Sequence, residues 1–304
     1  MPLIISEQSL RRMRRSIRAK RLKMGPPKTR GERELLNRMN KLWEKVLFPA
    51  TERIKQMVAA GAPAYEIADL IEKVLDEAQT EYNIVSDDIL RRWMATVDQI
   101  TRNNMFHGLQ ESLGVDIQAL VDTPEMQLVL QGSSLEAAGL IKSIPRDYMG
   151  EVAKAVADNY VGKPLPEGRS LLDHIQAVSK VSRNRARVIA RDQTNKLVGN
   201  INQARQQSIG IETYKWRTVK DQRVVGKPGG KYPEGNKAHG NHYMMEGRLC
   251  RWDDPTVIYD ENKEKWVKRD DEMPQTHPGI EINYRCRGEG IINVQKILKY
   301  AQLL

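Results

Sequence analysis

From Leu35 onward, apolar residues return at every third or fourth position. Leu35, Leu36, Met39, Leu42, Trp43, Val46 and Leu47 form a first stripe, which predicts an amphipathic helix. Pro49 should break or kink it, because proline lacks the N–H that a helix interior uses. Ile67, Leu70, Ile71, Val74, Leu75 and Ala78 form a second stripe over residues 64–80. A third helix is expected over 86–108, with Ile89, Leu90, Trp93, Val97 and Ile100 inward. Shorter helices are expected around 116–130, 134–143 and 146–158. Stripes of this kind read as core.

Residues 161–168 hold two glycines and two prolines and read as a linker. Ser170 then caps a short helix, with Asp173 where a capping-box acid would stand. A longer helix is expected over 182–208, with Ala186, Ala190, Leu197, Ile201 and Ala204 on one face and Ile209-Gly210 as its stop. Its outer face carries Arg183, Arg185, Arg187, Arg191, Lys196 and Arg205. That face reads either as a solvated surface or as a contact for a polyanion or a partner.

Beyond Gly210 the period changes to two. Tyr214, Trp216 and Thr218 fall on one side of a strand predicted over 212–218. Trp252, residues 257–259 and Trp266-Val267 read as further short strands, with Asp260-Glu261-Asn262-Lys263 as a hairpin loop. The fold class expected is α+β: a mainly helical N-terminal half, then a small C-terminal α+β domain containing a short antiparallel sheet. The chain divides on this reading into a basic arm (1–30), a helical domain (31–162) and an α+β domain (163–304).

Composition narrows the classes. The 304 residues suit about two domains. No apolar run approaches the ~20 residues of a membrane span, and no signal-peptide pattern is present, so no membrane partner is expected. Two cysteines, Cys250 and Cys286, do not make a disulfide framework and suggest a reducing compartment.

Charge changes the picture more. The net charge is +10, yet residues 1–30 hold ten basic residues against one acid, Glu7. Arg11, Arg12, Arg14, Arg15, Arg18, Lys20, Arg21 and Lys23 carry most of it. Such a segment attracts phosphate backbones by counterion release. It has no interleaved aromatics and no base-reading code, so the DNA contact expected is non-specific. Leu10, Met13 and Ile17 add a thin apolar stripe, which leaves three readings open: a nucleic-acid contact, a docking helix for an acidic protein, or a membrane-surface helix.

The segment 216–286 concentrates the candidate chemistry. Asp221, Arg223, His242, Asp253, His277, Arg285 and Cys286 read as a structural hydrogen-bonded network that pins long loops to a small sheet. His239, His242, Cys250, His277 and Cys286 are candidate zinc ligands by donor type. Neither cysteine sits in a Cys-x-x-Cys pair, however, and no cofactor is expected. Asp221, His242, Asp253 and His277 raise the alternative of a metal-dependent nuclease acting on phage DNA, without a complete paired-carboxylate or HNH pattern. A cysteine nucleophile paired with His277 lacks a third, orienting group. Gly226-Lys227-Pro228-Gly229-Gly230-Lys231 lacks the spacing of a phosphate-binding loop. No enzyme activity is expected.

The same residues carry a resemblance. Ala190-Arg191-Asp192-Gln193-Thr194-Asn195 resembles the "ART-E-T" helix of the Mu F-like minor head proteins of tailed bacteriophages, also called head morphogenesis proteins. Asp221-x-Arg223-Val224, His242 followed by Gly247, and Trp252-Asp253-Asp254-Pro255 continue the series. His277-Pro278-Gly279-x-x-Ile282-Asn283-Tyr284-Arg285-Cys286 closes it. The family's first cysteine of its final motif is Tyr284 here, and residues 226–240 form a longer Gly/Lys-rich insertion. The resemblance spans about residues 165–290. It implies a low-copy virion protein at the portal vertex or capsid interior, assembled in the host cytoplasm. Its implied partners are a portal protein, a major capsid or scaffold protein, and phage genomic DNA. Its implied role is in head assembly, DNA packaging or delivery.

Overall fold

The computed structural model describes residues 3–5, 20–22, 29–114, 117–120, 123–218, 242–281 and 286–296. Four long helices dominate: α1 (Arg30–Ala59), α2 (Ala64–Leu113), α3 (Pro124–Tyr160) and α4 (Leu171–Ser208). The strands are β1 (Leu3–Ile5), β2 (Lys20–Arg21), β3 (Ile117–Leu120), β4 (Thr213–Arg217), β5 (Leu249–Arg251), β6 (Val257–Asp260), β7 (Lys265–Lys268) and β8 (Arg287–Ile292). The α+β class expected from the sequence is the one observed: mostly helix, with a small antiparallel sheet toward the C-terminus.

The helices are fewer and longer than the sequence pattern predicts. α1 runs through Pro49, and α3 runs through Pro145. In both cases the buried face continues across the proline. Leu47, Ala50, Thr51 and Ile54 are buried in α1, as are Ile144, Tyr148, Met149 and Val152 in α3. Packing on both sides outweighs the one lost hydrogen bond. The two helices expected over 64–80 and 86–108 are a single helix, α2, and Ser170 starts one continuous α4. The helix expected to begin near residue 116 is replaced by β3, with helix starting only at Pro124.

The chain forms two compact units. The bundle unit comprises Thr29–Met94 and Ser134–Arg191; the sheet unit comprises Met1–Lys28, Ala95–Ser133 and Asp192–Leu304. The units therefore interleave along the chain rather than meeting at residue 162. Residues 161–168 join α3 to α4 within the bundle unit, with Gly162 and Gly168 at positive φ.

In the bundle unit the predicted stripes form the core. Leu35, Leu42, Trp43, Ile67, Ile71, Trp93, Ile141 and Ile175 are buried there. Trp43 and Tyr148 meet at 4.7 Å, and the Tyr148 hydroxyl lies 2.7 Å from Thr51 Oγ1, which donates to the Leu47 carbonyl. The charged residues pair across the surface: Lys45 with Glu81, Arg183 with Glu44, Arg185 with Asp147, and Arg191 with Glu32. The expected cap is present, with Ser170 Oγ accepting from the Asp173 N–H at 3.2 Å.

In the sheet unit the strand order is β2-β8-β4-β5, antiparallel throughout. β1 pairs with β3, and β6 with β7, as two separate ribbons. β4 alternates as expected, with Tyr214 and Trp216 buried. Its central neighbour β8 was not legible as a strand, because it reads Arg-Gly-Glu-Gly-Ile-Ile. Those glycines face the space that large side chains fill. A Cβ on Gly288 would stand 2.7 Å from the Trp252 ring and 2.9 Å from Tyr214, and one on Gly290 would meet Gln206 at 2.5 Å.

Candidate functional site: a buried polar clasp

α4 enters the sheet unit on four consecutive buried polar residues, Asp192, Gln193, Thr194 and Asn195. A helix that buries four such residues in a row must bring them to partners, since an unpaired polar group away from water is costly. Lys196 Nζ reaches Asp192 at 3.3 Å. One turn on, Gly199 lets the backbone of Pro278 and Gly279 approach closely; a Cβ there would lie 3.1 Å from the Pro278 carbonyl oxygen. Gly279 takes φ +90, a conformation that favours glycine. The helix that carries the Arg191–Asn195 motif and the turn at His277-Pro278-Gly279 are thus packed face to face.

Farther along α4, Gln206 is fully buried and ties two parts of the sheet together. Its Nε2 donates to the Gly288 carbonyl at 3.0 Å, and its Oε1 accepts from Trp252 Nε1 at 3.1 Å. Arg205 is not on an exposed face as the sequence suggested. It is 5% exposed, and its guanidinium grips Asp98 (2.6 Å) and Thr101 (2.7 Å) of α2. Helical periodicity could not show this, because the partner lies more than a hundred residues away in the chain.

Two histidines organise the loops. His242 is almost completely buried, and both ring nitrogens are engaged. Nδ1 lies 3.3 Å from Cys286 Sγ, and Nε2 lies 3.0 Å from Glu281 Oε2. The neutral tautomer protonated on Nε2 satisfies both contacts, with the thiol donating to Nδ1. Thr276 Oγ1 donates to the other oxygen of Glu281, and the Trp216 ring meets His242 edge-on at 5.6 Å. His277 lies on the other side of the same core. Its Nδ1 faces the Tyr214 hydroxyl at 3.1 Å, and its ring packs 5.2 Å from Trp252, which stacks on Tyr214 at 3.9 Å.

The sequence reading passed over Arg269, which is central here. It is 5% exposed and donates to the carbonyls of Val257, Pro274 and Thr276 while standing over the Trp216 ring at 5.5 Å. It gathers the strand β6 and the 270–276 loop around one guanidinium. A single arginine beside Lys268 at the end of a strand gives no sequence signal for this, and only the run of turn residues after it hints at orphan carbonyls.

Electrostatics place these groups in neutral forms. Burial pushes the Cys286 thiol up to about 12 and raises that of Cys250 as well. Burial lowers His277 to about 4, with the positive Arg269 adding to the effect. Burial also holds the Tyr214 hydroxyl well above its ordinary value. Cys286, His242 and Glu281 make a thiol–imidazole–carboxylate series like that of a cysteine nucleophile. A thiol this buried and this weakly acidic stays protonated near neutrality, however, so the series acts as a hydrogen-bonded clasp.

The other candidates are placed differently. Asp253 is exposed and pairs with Arg251 at the surface, outside the clasp. Its neighbour Asp254 makes the turn, accepting from Thr256 N and Oγ1 at 2.9 and 2.7 Å. Cys250 is buried in the same apolar core as Cys286, opposite Tyr214 in the β4–β5 register. Asp221, Arg223, His239 and Arg285 lie outside the described residues, as do Arg11, Arg12, Arg14, Arg15, Arg18 and Lys23. Lys20 and Arg21 form β2 and pair with Ile292 and Ile291 of β8, and Leu22 beyond them is fully buried. The basic segment is therefore anchored to the sheet at these three residues. Among the described residues, no group of three or more His, Cys, Asp or Glu side chains is arranged to hold a metal ion, and no helix is long and apolar enough to cross a membrane.

Comparison with known proteins adds one relative. An uncharacterized protein of Haemophilus influenzae is 25% identical over 221 residues, which cover 72% of this chain and 42% of that protein. The chain thus spans about two fifths of the length of this curated relative. No family model matches the chain, and no solved structure gives a significant match.

Proposed function

We propose that this chain is a bacteriophage minor head protein of the Mu F-like kind, acting by assembly rather than by turnover. It would sit in few copies at the portal vertex or capsid interior, binding a portal, major capsid or scaffold protein. Its basic N-terminal segment would contact the genome without sequence preference. The observation that carries this reading is the joining of the resembling motifs in space. The Arg191–Asn195 helix, His242, the Pro278-Gly279 turn and Cys286 meet in one clasp, as a family-defining core would. The anchoring of Lys20–Leu22 on β8 supports the second part, since it ties the cationic segment to that core.

The nuclease alternative draws less support. His242 and His277 serve separate hydrogen-bonded groups, and Asp253 faces solvent. The direct experiment is to co-express the chain with the portal and capsid proteins of a tailed phage whose head genes include it. Co-sedimentation with the portal ring at a low, fixed ratio is the expected result. A chain that stays at the top of the gradient, or that nicks supercoiled plasmid with Mg²⁺ or Mn²⁺, would sink the reading.

A further inference from the structure

The bundle unit holds an open cleft of about 660 Å³ between α3 and α4. Its floor is apolar: Gly150 of α3 faces Ala177, Val178 and Val181 of α4. Val181 is 66% exposed, and Val188, two turns on along the same face, is 41% exposed. On a helix of 3.6 residues per turn, Ala177, Val181 and Val188 lie within a narrow sector. Gly150 contributes emptiness, since a Cβ built on it meets nothing within 4 Å. An apolar stripe of this kind, left open beside a second helix, is the shape that accepts one face of a third helix.

The charge around it has one sign. From His174 to Arg191, α4 carries Lys180, Arg183, Arg185, Arg187 and Arg191 and no acid. Three of these are neutralised inside the unit by Glu44, Asp147 and Glu32. Lys180, Arg187 and Arg146 of α3 remain exposed and pair with no described residue, against a single such acid on the rim, Glu151. An occupant that complements this surface carries carboxylates beside its apolar face.

We infer that this cleft docks an acidic amphipathic helix of a partner protein, with leucine-like side chains over Val178 and Val181 and carboxylates toward Lys180, Arg187 and Arg146. Nucleic acid fits less well, because a phosphate backbone gains nothing from two exposed valines at the centre of the contact. This inference stands on the bundle unit alone and is independent of the phage reading.

The test uses the full chain and a fluorescein-labelled synthetic peptide of roughly five helical turns. Leucines occupy its i, i+3, i+4 and i+7 positions, and glutamates most of the rest. Anisotropy should show saturable binding that weakens as salt is raised. Val181→Asp, at an exposed position, and Gly150→Trp, which fills the empty floor, should each lower affinity at least tenfold with an unchanged circular dichroism spectrum. A peptide of equal charge with serine at the leucine positions should not bind, and duplex DNA should not displace the leucine peptide. Absence of binding overturns the inference. So does equal binding of the serine peptide, displacement by DNA, or indifference to both substitutions.

Discussion

The two units solve the same problem by opposite means. The bundle unit buries leucines, isoleucines and tryptophans along continuous stripes and sends its charges to the surface, where they pair in water. The sheet unit has a small apolar core around Trp216, Trp252 and Met245. It completes that core with buried polar groups: Gln206, His242, Arg269, Arg205 and the Asp192–Asn195 run. Apolar stripes tolerate change, because each contact is a small share of the total. A satisfied polar network does not, because removing one member strands the others. Stability should therefore be broadly distributed in the first unit and concentrated in a few side chains in the second.

The sharpest form of that contrast is a pair of arginines. Arg269→Ala strands three carbonyls under a buried ring and should cost about 3–5 kcal/mol. Arg185→Ala, at a position 39% exposed by its side chain, should cost under about 1 kcal/mol despite losing Asp147 and Ser143. Urea unfolding followed by peptide-resolved hydrogen exchange reads both. Equal costs for the two arginines would break the comparison.

A pair of glycines tests it with opposite signs. Gly288→Ala forces a methyl against the Trp252 and Tyr214 rings, both buried, and should destabilise by about 1–3 kcal/mol. Gly150→Ala lies in the interior of α3 with open space at its Cβ. It should stabilise by about 0.5–1 kcal/mol through helix propensity. Melting temperatures moving apart, one down and one up, is the expected pattern.

The same contrast explains what the sequence could show. Periodicity is a local signal, and the bundle unit is built from it. Leu35 to Leu47 and Ile67 to Ala78 were legible as buried stripes, and their continuation past Pro49 and Pro145 was missed because the packing that overrides proline is not local. In the sheet unit, β4 alternates and was legible; β8 carries its information as absence, in glycines that leave room for Trp252 and Gln206. His242, His277 and Cys286 were legible as polar residues with a structural look. Their actual partners, Glu281 and Tyr214, and the keystone Arg269 were not, since a hydrogen bond across a loop leaves no period to read. Asp253 drew notice by standing in a motif, yet the structural turn there belongs to its neighbour Asp254.

The mildest effect should come from pH. His277 is neutral in the folded chain, with Nδ1 accepting from the Tyr214 hydroxyl. Burial, with Arg269 beside it, lowers its folded value to about 4 from an ordinary 6.5, while a backbone hydrogen bond to Trp252 and the carboxylates of Asp254 and Asp253 pull weakly the other way. A histidine with a lowered folded value binds its proton more readily when unfolded. Its contribution is therefore fully present above about 6.5 and is lost as pH falls toward about 4, with little further loss below. Because the ring is only partly shielded, the loss should reach about 1–2 kcal/mol rather than the full shift. The sheet unit should show it as faster exchange in the β4–β5 region between those two pH values, with the bundle unit unmoved. His277→Asn, which holds no titrating proton, should flatten that dependence. If the variant keeps the slope, or if the bundle unit carries it, then the polar clasp is not where acid first acts on this chain.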